Sequence, residues 1–377
     1  MRRYFVTGGT GVVGSALIPV LLEEGADEIS MLVRAPDDEG LARRVDELFA
    51  FWQFGPNEAA ARRRVVALRG DTTLPRFGLT PGQYEALSGS VTHIIHAAGA
   101  VRMNLPIERA RESAVVSAQQ VIDLAWSAQR AGRLHKLDLV STVGVGGYLR
   151  TVPERWIDET RKFHNTYEQA KAEAEMLVRE HRERGLRVTV HRPSMVVGDS
   201  RTGRVIHFQV FYHLCEFLSG KRTFGLFPPL DGATLDIVPS DFVARVIAWS
   251  SRNEASNTLI LHEASGPADA LPLTTLRSEV RARLAARGRR LAPVITIPRG
   301  AISAAAALGS RLAPDPRVRR ALGTLPVFLD YLSGEQRFEV TGMRRLLEAE
   351  PGLTGCWRPW TEYLPVLLDR YLDQRGN

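Results

Sequence analysis

Short apolar runs along the chain alternate with longer stretches in which apolar residues return every third or fourth position. "RYFVTGG" (3–9) predicts a strand, 12–25 an amphipathic helix and "EISMLVR" (28–34) a second strand. A helix is expected near 38–54, strands at "RVVALRG" (64–70) and "VTHIIHAAG" (91–99), and a long helix near 107–131. "LDLVSTVGVGG" (137–147) reads as a strand with a glycine-rich end, followed by a helix from about 163 to 184 and the strand "RVTVHRP" (187–193). This alternation predicts an α/β fold, a Rossmann-like doubly wound parallel sheet with helices on both faces. In such sheets ligands bind beyond the carboxyl ends of the strands.

The pattern changes after Pro193. A loop, "SMVVGDSRTGRV", precedes an expected helix at 205–219, and within "GLFPPLDGATLDIVPSDFVARVIAWS" one more strand and helix return toward the sheet. Residues 263–377 read as mostly helical with proline-broken joints such as "IPRG" and "LAPDPRV". The expected division is therefore 1–200 plus 234–262 as the sheet domain, and 201–233 plus 263–377 as a smaller, mostly helical substrate-binding domain.

Composition narrows the class. At 377 residues, with 44% hydrophobic and 24% charged positions, the chain can bury a full core, and its only low-complexity tract is "AISAAAALG" at 301–309. The start runs straight into a strand pattern, and no apolar stretch reaches the ~18–20 residues of a membrane span, so cytoplasmic localisation without stable membrane insertion is expected. Cys215 and Cys356 lack metal-ligand spacing and are expected as reduced thiols. A net charge of +7 favours anionic partners such as a phosphorylated cofactor, coenzyme A or an acidic carrier protein. Arginine runs at 61–64 and 281–291 come without any nucleic-acid-binding motif, and no nucleic acid is expected. Oligomeric state is not encoded in any of these features.

"TGGTGVVG" (Thr7, Gly8, Gly9, Thr10, Gly11, Val12, Val13, Gly14) sits where the first strand gives way to a helix. Glycines at this spacing let a pyrophosphate approach backbone N–H groups at a helix N-terminus. At the end of the second strand a carboxylate would bind a ribose 2′-hydroxyl and an arginine a 2′-phosphate; the residue is Arg34, with Arg44 as a second phosphate contact, which favours NADPH. Both arginines also read as surface groups, and Asp37 and Asp38 keep NADH open. Asp71, after the third strand, is placed to accept from an adenine amino group or to cap a turn. Ala97, Ala98 and Gly99 follow the fourth strand and are small enough for a cofactor to lie against the backbone.

Only four lysines occur in the chain, and one of them, Lys171, stands one helical turn after Tyr167. Both side chains fall on one helix face. A phenol ordinarily titrates near pH 10, and a neighbouring ammonium is expected to lower it toward a useful general acid for a carbonyl oxygen. Ser141 and Thr142 end the fifth strand; Thr142 is the expected third hydroxyl, although serines and threonines at strand ends more often satisfy backbone groups.

Taken together, "TGGTGVVG", "HAAGAV", "VSTVGVGG", Tyr167-x-x-x-Lys171 and "HRP" (191–193) resemble the extended short-chain dehydrogenase/reductases over about residues 3–262. "RGDTTLPRFGLT", "HRPSMVVGDSRTGRV" and "LDIVPSDFVA" look like the male sterility-type branch, which holds fatty acyl-CoA reductases and thioester reductase domains. The resemblance implies Thr142, Tyr167 and Lys171 as catalytic residues. It adds Pro193 and Ser194 to the cofactor contacts. It also implies NADPH-dependent reduction of an acyl thioester, on coenzyme A or on an acyl carrier protein, to an aldehyde and in some members an alcohol. The readings left beside it are a reductase of a preformed ketone or aldehyde, an enzyme acting on a sugar nucleotide, and a non-catalytic NADP-binding sensor. One departure concerns the proton relay: Ala114 stands where the family has an asparagine that supports either the lysine's water relay or a local helix bend. The aromatic stretches 207–218 and 224–229 are expected either to wall the substrate site or to fill a helix core.

Overall fold

The computed structural model describes residues 1–54, 58–221, 223–298, 300, 301, 304 and 336–375. Most of the alanine-rich tract at 301–309, and all of "LAPDPRV", lie outside the described residues. Seven parallel strands form one sheet: β1 (Arg3–Thr7), β2 (Glu28–Val33), β3 (Val65–Arg69), β4 (His93–His96), β5 (Lys136–Val140), β6 (Val188–His191) and β7 (Ile260–Leu261). They lie in the order β3, β2, β1, β4, β5, β6, β7, with Tyr4 of β1 opposite Ile29 of β2 on one side and His93 of β4 on the other. The winding reverses between β1 and β4, so a crevice opens beyond Thr7 and His96. Because helices cover both faces, the central strands are buried on both sides and carry no polar-out alternation.

The helices that frame the sheet are α1 (Val12–Glu23), α2 (Asp38–Trp52), α3 (Pro81–Ser90), α4 (Ser117–Arg130) and α5 (Thr166–Glu183). Helix α3 escapes the sequence reading because "PGQYEALSGS" has almost no apolar periodicity. Its signature is at the start, where Thr80 and Gln83 close a capping box and Pro81 occupies the first turn. The long helix expected near 107–131 is interrupted: Ile107–Arg111 runs into a π turn at Glu112–Val116 before α4 begins. The strand expected near 235 does not return to the main sheet either. Ile237–Pro239 pairs with Met195–Val197 in a separate ribbon, and β7 supplies the seventh strand instead.

Among the described residues four further helices follow, α6 (Val210–Leu218), α7 (Ser240–Arg252), α8 (Leu273–Ala286) and α9 (Thr341–Ala349), and α10 (Trp360–Arg375) comes last. Helix α7 packs beside α1 in the sheet's core, whereas α6, α8 and α10 build a second apolar cluster around Phe211, Leu214, Leu276, Val280, Leu364 and Leu368. Within that second cluster Tyr363 of α10 donates to the Ile237 carbonyl at 3.0 Å.

Between β5, β6 and α7 lies a set of fully buried charges. His191 Nε2 meets Asp138 at 3.0 Å and its Nδ1 meets Glu263 at 2.6 Å, while Lys136 donates to the Ser250 carbonyl at 2.6 Å and lies 3.7 Å from Asp138. Burial pulls the imidazole's pKa down, but Glu263 and Asp138 outweigh it and leave His191 at about 9, so it is a cation among these strands at neutral pH. Cys215 and Cys356 are free thiols, as expected.

Candidate active site

The glycine turn is held by close backbone approach. Gly8 has φ +76, and a side chain there would meet the Ala97 carbonyl carbon at 2.5 Å; a Cβ on Gly14 would lie 2.2 Å from the Gly8 carbonyl oxygen. Gly11 N donates to that same oxygen at 2.9 Å, and no side chain caps the first turn of α1. The first N–H groups of α1 therefore face the crevice end of the sheet, an arrangement that fits a dinucleotide pyrophosphate.

A cleft of about 520 Å³ opens there. Gly11, Val12, Val13, Ala97, Gly99, Thr142, Tyr167, Lys171, Pro193 and Ser194 all line it, so the structure gathers these sequence-predicted residues in one place. Ser141 lines it too, and its buried hydroxyl has no hydrogen-bond partner among the described residues. Thr7, Gly8, Gly9, Thr10, Gly14 and Ala98 belong to the wall behind the cleft. The Thr7 hydroxyl shares a 2.7 Å hydrogen bond with His96 Nδ1 and accepts from Ala98 N at 3.3 Å, which braces β1 against the loop after β4.

Arg34, Arg44 and Asp71 sit outside the cleft lining, around the turn's outer edge. Arg44 donates to the Arg34 carbonyl at 2.7 Å and reaches Thr10 Oγ1 at 3.5 Å; Arg34 lies 3.9 Å from Asp71. Asp71 also accepts from the backbone and hydroxyl of Thr73, each at 2.9 Å, so it performs the turn-capping role named as its alternative.

Tyr167, Lys171 and Thr142 converge as their spacing predicts. Asn165 caps α5 by accepting from Glu168 N at 3.0 Å, which sets Tyr167 in the first turn and Lys171 one turn on. Lys171 Nζ donates to the Val140 carbonyl at 2.9 Å, at the end of β5. Thr142 accepts from Gly144 N at 3.1 Å and hydrogen-bonds Tyr167. The electrostatics depart from expectation. Burial, with a smaller push from the Glu168 carboxylate, raises Tyr167 to about 12 against the pull of Thr142. Burial likewise lowers Lys171 to about 8 despite Glu175. In the free protein the lysine therefore does not draw the phenol toward neutrality; desolvation governs both groups. His96, below Lys171, is pushed to about 3 by burial and then by the lysine's charge, and it is neutral.

The π turn bears on the missing asparagine. Ala114 lies inside it, buried against Ala110, Ala118, Ala170 and Ala174, so the backbone bend is present with no asparagine side chain. Small residues on both helices let α5 pack close to this turn.

Several lining residues went unassigned in the sequence. His164 and Glu168 flank Tyr167, and Met103, Met195, Leu235, Gln336, Arg337 and Phe338 are among the other wall residues. Of the aromatic stretches proposed for the wall, Gln209, Val210 and Phe211 line the cleft, but residues 224–229 do not: Leu226–Phe227 pairs with Ile295–Thr296, and Phe227 fills the second core. The segment around Phe338 arrives from far along the chain and is fastened beside the glycine-rich loop after β5. Gln336 donates to the carbonyls of Gly147 at 2.6 Å and Leu149 at 2.9 Å, and Arg337–Phe338 pairs with Thr151–Val152. Glu154 then accepts from Gly342 N at 2.7 Å and Met343 N at 3.1 Å, capping α9, and burial raises its carboxyl to about 7.

No helix among the described residues is long and apolar enough to cross a membrane, and no metal-binding cluster occurs among them. The family model described as male sterility protein matches residues 6–247. Linear gramicidin synthase of Brevibacillus parabrevis is, in one of its component chains, 30% identical over 67% of this chain, which spans only 5% of that component. L-2-aminoadipate reductase of Schizosaccharomyces pombe is 27% identical over 71% of the chain, covering 19% of its own length. Among solved structures, the terminal R domain from the myxalamid PKS-NRPS biosynthetic pathway superposes with a TM-score of 0.78 at 26% identity, over 100% of this chain and 91% of that one. The reductase domain of a nonribosomal peptide synthetase from Mycobacterium tuberculosis shares the fold, with a TM-score of 0.73 at 21% identity over 100% of this chain and 92% of that one. With the family model spanning most of the sheet, the glycine turn and the Tyr167–Lys171 helix, the chain belongs to the male sterility protein family of extended short-chain dehydrogenase/reductases, a family of NAD(P)-dependent reductases.

Proposed function

We propose that the protein is an NADPH-dependent reductase that converts an acyl thioester, carried on coenzyme A or on the arm of a carrier protein, to an aldehyde. The observation that carries this reading is the meeting of Thr142, Tyr167 and Lys171 in one cleft with the glycine turn. Likeness to a terminal R domain and to an aminoadipate reductase supports it. A bound dinucleotide would supply the hydride, with Gly8, Gly9, Gly11 and the first turn of α1 at its pyrophosphate and Arg34 and Arg44 at a 2′-phosphate.

The chain's own residues do the rest. Thr142 and Tyr167 donate hydrogen bonds to the thioester oxygen, which gains negative charge as the carbonyl carbon is reduced. Tyr167, held near 12 in the free protein, is fully protonated at neutral pH and gives its proton to that oxygen. Lys171, anchored on Val140, places an ammonium beneath the phenolate that this transfer leaves behind. Phe211, Leu235 and Phe338 give the acyl group apolar walls. In this reading residues 1–200 plus 234–262 hold the cofactor, and 201–233 plus 263–377 hold the substrate.

The test is NADPH oxidation with a panel of acyl-CoAs, carrier-bound acyl groups and free aldehydes, with Tyr167→Phe as control. Turnover of thioesters that is lost in the variant is the expected result. Oxidation with aldehydes and never with thioesters would refute the reading.

A further inference from the structure

Thioester reduction ends with a step that the Thr142–Tyr167–Lys171 group does not complete. Once the carbonyl has been reduced and protonated, a hemithioacetal must lose a thiol, and a thiolate leaves slowly unless it is protonated. Beside Tyr167 the structure holds a second proton-carrying group. His164 lines the same cleft, with its side chain 14% exposed, and its Nδ1 lies 3.0 Å from the Glu168 carboxylate, itself 2% exposed. The same Glu168 oxygen accepts from His164 N at 3.0 Å, and the Tyr148 ring lies 3.9 Å from the imidazole, centre to centre, so the ring is fixed on two sides.

We propose that His164, oriented by Glu168, is the acid that protonates the departing sulfur; the proposal rests on the thioester reading above. A carboxylate on Nδ1 fixes the imidazole tautomer and leaves Nε2 as the nitrogen that exchanges protons, the orientation a carboxylate gives a catalytic histidine. In the collapse the carbon–sulfur bond breaks and its electron pair passes to sulfur. The hydroxyl proton returns to the Tyr167 phenolate as the oxygen re-forms the carbonyl, and sulfur takes the proton from the His164 imidazolium, which solvent restores. Aldehyde, free thiol and protonated Tyr167 result, with no electron unaccounted for. Lys171 is unsuited to the sulfur because its ammonium is tied to Val140 O. The imidazolium also faces the carboxylate that otherwise disfavours an ionised Tyr167.

The discriminating experiment compares His164→Gln with the unaltered protein on one acyl group borne by two thiols, N-acetylcysteamine and thiophenol. An aryl thiolate departs without help, so the variant should lose about 100-fold or more on the alkyl thioester and little on the aryl one. The retained aryl rate serves as the folding control, and Glu168→Gln, which keeps a backbone acceptor, should give the same selective loss to a lesser degree. Independently of turnover, N-acetylcysteamine added to cofactor-free protein with carbon-13-labelled imidazoles should shift the signal that is missing in His164→Gln. Equal loss on both esters, no loss on the alkyl ester, or an unmoved His164 signal would overturn the proposal while leaving thioester reduction standing. An unaltered protein inert toward both esters would remove thioester reduction and this role together.

Discussion

Replacing Lys171 by methionine should make the protein more stable and inactive. Lys171 is 7% exposed, and burial moves its pKa from 10.5 to about 8. That difference corresponds to about 3 kcal/mol by which the folded state disfavours the charged form. Methionine fills nearly the same space without charge, at the loss of one hydrogen bond to Val140 O, about 1 kcal/mol. The net gain at pH 7 is therefore about 2 kcal/mol, or roughly 2–3 °C in Tm for a chain of this size. The sign with pH follows from proton counts. Below pH 8 both folded and unfolded lysine are protonated and the penalty is complete. Between about 8 and 10.5 the unfolded chain holds the extra proton, the unaltered protein gains stability, and the gap to Lys171→Met closes. Thermal or urea unfolding of both proteins at pH 7 and pH 10, beside NADPH turnover, measures all of this. A variant less stable than the parent at pH 7, or a difference indifferent to pH, would show that the buried ammonium is not held at a cost.

Other outcomes follow from the same geometry. Gly14→Ala, whose Cβ would lie 2.2 Å from Gly8 O, should lose about 1–3 kcal/mol of stability and weaken dinucleotide binding, whereas Gly82→Ala, with nothing within 4 Å, should gain up to about 1 kcal/mol; calorimetry of the pair checks both. Arg34→Ala and Arg44→Ala should each weaken NADPH about tenfold or more and leave NADH nearly unchanged in a binding titration. Tyr167→Phe should reduce kcat by about 100-fold or more without altering cofactor affinity. Glu154→Gln should flatten the fall in stability that the parent shows as pH rises from 4.5 through about 7, because the raised carboxyl stabilises the fold only while protonated; unfolding midpoints across that range read it directly.

What the sequence made legible was what neighbours in the chain decide. The strand-to-helix turn around Gly8 and Gly14, and the one-turn spacing of Tyr167 and Lys171, need only local geometry, and both fall where the pattern puts them. Phe338 and Arg337 reach the cleft through pairing with residues about 186 positions earlier, Thr151 and Val152, and no local periodicity announces such a contact. For residues 224–229 the sequence left wall and core both open, because an aromatic run fits either, and Phe227 went to the core. The Tyr167 shift was misjudged since its sign depends on desolvation, which a helix wheel does not measure. The bend at Ala114 was hidden too: a π turn needs one extra residue in the helix, and composition does not count residues per turn.

The charges buried beneath the sheet constrain how this protein can change over generations. Asp138 and Glu263 hold His191 between them, and Lys136 stands 3.7 Å from Asp138, with none of the four more than 2% exposed. Removing any one strands its partners at about 3–5 kcal/mol, although an apolar set of equal volume replacing all of them can be neutral. Single steps away from this arrangement run uphill, so lineages should be found either with the whole quartet or with none of it, and rarely with a fragment.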